Sequence, residues 1–95
     1  MPSYTPPLRD MQLVMHEVLH VVDELKVIPR NADLDADTLD AVLEEGGKFA
    51  SEVTQPLNLG GDAEGCTLDK DTHAVRTPKG FKEAYAKLVE AGWGA

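Results

Sequence analysis

His16-Glu17-Val18-Leu19-His20 carries the residue types of a zinc hydrolase in their usual spacing. On an α-helix, positions i and i+4 share a face, so two imidazoles could grip one zinc ion with the glutamate as general base. Such a centre also needs a third ligand and a walled cleft. Helical periodicity instead turns both histidines to the polar face, opposite Leu8, Met11, Met15, Val18, Leu19 and Val22. His73, the remaining histidine, falls in a turn-rich stretch, and 95 residues leave little material for a substrate groove. The motif reads as a pair of solvated histidines.

A second pattern, Asp33-Leu34-Asp35-Ala36-Asp37 with Glu44 at the twelfth position, imitates a calcium loop. Its sixth position is Thr38, where the sharp turn requires glycine, and its eighth is Asp40, where such loops place an apolar residue. Asp35 or Asp37 serves better as a helix N-cap, Asp37 above all, and Asp37 and Asp40 suit the positive end of the helix dipole. Cys66 has neither a second cysteine nor a basic neighbour and reads as a loop thiol. Gly46-Gly47 and Gly60-Gly61 follow no strand, so no phosphate-cradling loop or dinucleotide fingerprint is present. Tyr85 and Trp93 are spaced as core or interface anchors. No residue is assigned a catalytic, cofactor-binding or metal-binding role.

The elements behind these residues are three amphipathic helices with irregular connections, an all-α class. The first spans about 8–25, led in by Pro6-Pro7 and ended by Pro29, with a loop from Arg30 to Asp35. The second starts near Asp35 or Asp37, carries the stripe Leu39, Val42, Leu43, Gly46, Phe49, Ala50 and Val53, and stops at Pro56. Gly46 lies on that stripe, which suggests close approach of a neighbour, whereas Gly47 faces outward without explanation. Residues 58–77 form a loop, with short extended pieces around Cys66-Leu68 and Ala74-Arg76 that could pair as a minor hairpin. Thr77-Pro78 then opens the third helix, whose inner face is Phe81, Ala84, Tyr85, Leu88 and Val89 and whose cap is Gly92. The expected organisation is one partial domain, divided as 1–32, 33–57, 58–77 and 78–95. Phe49, Phe81, Tyr85, Leu88 and Trp93 are the expected anchors.

The formal charge is −8, from 17 acidic against 9 basic side chains, which disfavours nucleic acid and anionic membrane. A single cysteine excludes an internal disulfide and suits a reducing compartment. No apolar run approaches membrane-spanning length and no signal peptide precedes the first helix, so a soluble, cytoplasmic chain is expected. The closing Ala91-Gly92-Trp93-Gly94-Ala95 presents a large aromatic just past a helix cap, which reads as an end cut through a larger domain.

Three phrases in order carry a family likeness. They are Tyr4-Thr5-Pro6-Pro7-Leu8-Arg9-Asp10, Asp37-Thr38-Leu39-Asp40-Ala41-Val42-Leu43-Glu44-Glu45-Gly46, and Pro78-Lys79-Gly80-Phe81-Lys82-Glu83-Ala84-Tyr85 running on to Val89-Glu90-Ala91-Gly92-Trp93. Together they resemble the opening of the FAD-dependent acyl-CoA dehydrogenases, in the branch with an extra N-terminal segment that includes 3-methylmercaptopropionyl-CoA dehydrogenases. The resemblance implies an N-terminal helical domain followed by a β-barrel domain and a C-terminal helical bundle. It implies oxidation of acyl-CoA to trans-2-enoyl-CoA, in which a glutamate takes the α-proton and N5 of FAD takes the β-hydride. It also places the flavin contacts and that glutamate beyond these 95 residues, so none of Glu17, Glu44 and Glu90 takes the role. The expected partners are the remainder of the parent enzyme, further subunits of a homo-oligomer and, for the parent, acyl-CoA. The alternative is an independent, small, acidic helical module that binds a protein partner through the stripe of its first helix.

Overall fold

Helical hydrogen bonding takes up most of the chain, about 64% of it, and the only extended pairing among the described residues is one two-stranded ribbon. The computed structural model describes residues 3–94. It divides into two units, Tyr4–Ala50 and a second formed by residues 51–94 with Ser3.

In the first unit, Pro6 and Pro7 fix the backbone ahead of α1, Leu8–Gln12, and Met11 N–H donates to the Pro7 carbonyl at 3.1 Å. The winding then loosens into a π-helical turn, Leu13–Val18, closed by Leu19 N–H to the Val14 carbonyl at 2.9 Å. His20 takes a left-handed conformation, φ 50° and ψ 50°, and α2, Val21–Lys26, starts behind it. The single helix expected over 8–25 is therefore broken. Val14, Val18, Val21 and Val22 supply the reason, since β-branched side chains crowd the preceding turn of an α-helix. A 3₁₀ turn, Pro29–Asn31, occupies part of the expected loop. Asp35, in extended conformation, caps α3, Ala36–Phe49.

α1 lies against α3 through a close approach. A Cβ placed on Gly47 would fall 2.7 Å from Pro6 Cγ and 3.5 Å from Leu8 Cδ2, and Gly47 is buried. The outward, unexplained position read for Gly47 is corrected: the returning Pro6 ring needs that space.

A π-helical segment, Ala50–Thr54, precedes α4, Gln55–Glu64. Pro56, read as the stop of the second helix, stands instead in the first turn of α4, directly after the π-helical segment. The irregular connection thus begins at Gly65, seven residues later than the expected 58. β1, Thr67–Leu68, pairs antiparallel with β2, Val75–Arg76, with Thr67 opposite Arg76 and Leu68 opposite Val75. The suspected hairpin is present. The third amphipathic helix, α5, runs Phe81–Glu90 and starts behind Gly80 rather than at Pro78. Gly80 has φ 89°, and an added Cβ would come 2.6 Å from Leu57 Cδ2, so conformation and space both require glycine there. At the other end Gly92 N–H donates to the Val89 carbonyl and Trp93 N–H to that of Leu88, the two bonds of a Schellman cap. Within this unit the Phe81 ring lies over Gly61, where a Cβ would fall 2.5 Å from Phe81 Cζ.

No hydrophobic side chain among the described residues is fully buried. Leu8, Met11, Met15, Leu39, Leu43 and Phe49 are half-buried in the first unit, as are Leu57, Ala84 and Leu88 in the second. Val18 and Leu19, expected on the inner face, are exposed.

Candidate functional site

The two histidines of the zinc-like motif are separated by the local backbone. His16 sits in the π turn and His20 in the left-handed residue after it, so they do not occupy successive turns of one α-helix. His16 is half-buried, and its Nε2–H donates to Asp40 Oδ1 of α3 at 2.7 Å. The solvated position expected for His16 is corrected by this contact. A hollow of about 210 Å³ opens beside His16, His20, Val22, Asp23 and Ala36, but no cluster of three metal-ligating side chains is found among the described residues. The pair of carboxylate and imidazole can fix α3 against the π turn. It holds no nucleophile and no third ligand.

The calcium-like loop is taken up by capping. Asp35 Oδ1 accepts from Thr38 Oγ1 at 2.7 Å and from Thr38 N–H at 2.8 Å. Those two bonds, the hydroxyl first, hold the Asp35 carboxyl below its ordinary value of 3.8. The cap is thus Asp35, and Asp37, the residue favoured from sequence, lies in the first turn of α3.

In the second unit Asp69 organises the hairpin turn. Its Oδ1 accepts from the N–H groups of Asp71 at 2.9 Å and Thr72 at 3.3 Å, and these backbone donors lower its pKa from 3.8. His73 comes next in a left-handed conformation, φ 62°. A shallow depression of about 400 Å³ lies between Thr67, Asp69, Ala74, Val75 and Arg76. These residues do not fit FAD. The hollow is an open flank of a two-stranded ribbon, and the ionised Asp69 carboxylate at its edge would repel a diphosphate. Cys66 is exposed and unpaired in any disulfide. Tyr85 and Trp93, expected as anchors, are exposed, whereas Leu88 and Phe49 are half-buried.

Side chains here cap, clamp and space helices. No family model matches the chain. It is 33% identical over 91 residues to 3-methylmercaptopropionyl-CoA dehydrogenase of Ruegeria pomeroyi, 35% over 96 residues to butyryl-CoA dehydrogenase of Syntrophomonas wolfei, and 31% over 93 residues to a broad-specificity linear acyl-CoA dehydrogenase of Mycobacterium tuberculosis. Each likeness covers 96–98% of this chain but only 15% of the relative. These likenesses identify the chain as an N-terminal portion of a larger protein of the acyl-CoA dehydrogenase family. Among the described residues no helix is long and apolar enough to cross a membrane.

Proposed function

We propose that the whole protein is an FAD-dependent, cytoplasmic acyl-CoA dehydrogenase that converts acyl-CoA to trans-2-enoyl-CoA, and that residues 1–95 serve it structurally. One observation carries this reading: three acyl-CoA dehydrogenases match almost all of this chain, each over the same small fraction of its length. Several of the segment's polar side chains make structural contacts. His16 is bonded to Asp40, Asp35 caps α3, and Asp69 closes a turn. The segment supplies no group to the reacting atoms, and its partners are the remainder of its own polypeptide and the other subunits of a homo-oligomer.

The test is spectroscopic. The full polypeptide, purified, should show an oxidised-flavin absorbance band that bleaches on addition of butyryl-CoA or a longer saturated acyl-CoA under anaerobic conditions. His16→Ala and Glu17→Gln should leave the rate of bleaching unchanged. A full-length protein without flavin, or one that oxidises no acyl-CoA, would remove the reading.

A further inference from the structure

The π turn gathers apolar residues that an α-helix would scatter. Leu13, Val14, Val18 and Leu19 are 50%, 45%, 62% and 57% exposed. In π winding the hydrogen bond spans five residues, as Leu19 N–H to the Val14 carbonyl shows, so residues five apart stack along the axis. Leu13 and Val18 then share one side of the turn, as do Val14 and Leu19. In α winding, at about 100° per residue, the members of each pair would point about 140° apart. The opposite side of the same turn is already used: Met15 and His16 are half-buried, and His16 reaches Asp40 of α3. One side of the turn thus binds its own unit, while the other presents four large apolar side chains to solvent. Such turns are rare and are frequent at functional sites.

We propose that Leu13, Val14, Val18 and Leu19 form a docking face for the part of the same polypeptide that lies outside these 95 residues. The proposal rests on the reading of this chain as a portion of a larger dehydrogenase. The chain spans only 15% of each relative it matches, so most of such a protein is available to cover the face. A second copy is the poorer occupant. It would bring together two segments of formal charge −8, and it would set the exposed Glu17 carboxylates of the same turn near one another.

Hydrogen exchange on the full polypeptide tests this. Amides of residues 8–19 should be protected in the wild type at every protein concentration. Val18→Glu and Val14→Glu should each speed exchange there about tenfold or more, the factor expected when a buried valine no longer holds the closed state. Val27→Glu, at a site 80% exposed and outside the face, should change nothing. If a glutamate variant does not fold, Val14→Thr and Val18→Thr keep the branched shape and should raise exchange in the same segment. Unchanged exchange in all four variants would overturn the proposal. So would protection that disappears on dilution to monomers, which would assign the face to a second copy. Flavin content is measured on the same wild-type sample: its absence would remove the enzymatic reading while leaving the exchange result to decide the docking face.

Discussion

Single residues here are set by space and by backbone donors. Gly47 and Gly60 make a matched contrast. Alanine favours a helix interior over glycine by about 1 kcal/mol. At Gly60, in α4, an added Cβ meets nothing within 4 Å, so Gly60→Ala should stabilise the protein by about 0.5–1 kcal/mol. At Gly47 the same methyl would strike the rigid Pro6 ring at 2.7 Å, and overpacking of about 1–3 kcal/mol outweighs the helical gain. Denaturant midpoints should therefore move in opposite directions, and a Gly47→Ala protein more stable than wild type would contradict the packing described. Asp35 gives a pH dependence. Its pKa is lower folded than unfolded, so its contribution is complete above 3.8 and is lost as the pH falls below 3.8 through the folded value. Asparagine also caps helices but does not titrate. The stability difference between wild type and Asp35→Asn should shrink as acid is added below 3.8, and a difference constant with pH would exclude the assigned cause. The cap was legible in sequence as a choice between two aspartates. The role of Gly47 was not, because a helical wheel shows which side a residue faces and not that Pro6 returns to cover it.

Elements were legible where local chemistry decides them. The acidic cap of α3, the glycine stop of α5 and the hairpin at 67–76 all arise from residues within a few positions of one another. The break in the first helix comes from the sum of several weak preferences, and periodicity alone continued it through His20. Pro56 deceived for a related reason, since proline stops one helix or starts the next depending on whether the residues after it are helical. The strongest test at this scale concerns the His16–Asp40 contact, which joins the π turn to α3 across 24 positions of sequence. A double-mutant cycle of His16→Ala and Asp40→Ala, read by urea unfolding, should give a coupling of about 0.5–1.5 kcal/mol, the usual net value of one hydrogen bond. The cycle also separates this contact from the zinc motif. Added zinc should leave the wild-type midpoint unchanged, whereas zinc-dependent stabilisation that vanishes in His16→Ala would restore the metal reading.

At the scale of the whole molecule, the family was legible and the packing was not. The ordered phrases from Tyr4 to Trp93 need only the sequence, whereas the faces left open depend on a broken helix and a π turn that periodicity does not show. Those faces matter to stability. Leu13, Val18, Leu19, Tyr85 and Val89 are exposed, and no apolar side chain among the described residues is fully buried to offset the entropy of ordering the chain. A segment built this way draws its stability from what covers it. Residues 1–95 expressed alone should therefore keep much of their helical circular dichroism, bind a hydrophobic dye such as ANS, and melt over a broad range without a sharp heat-capacity peak. The same residues within the full polypeptide should exchange their amides as part of one cooperative unit. A sharp two-state transition without dye binding, in a monodisperse 10.3 kDa species, would mean that these helices complete their own core and that the open faces are ordinary surface.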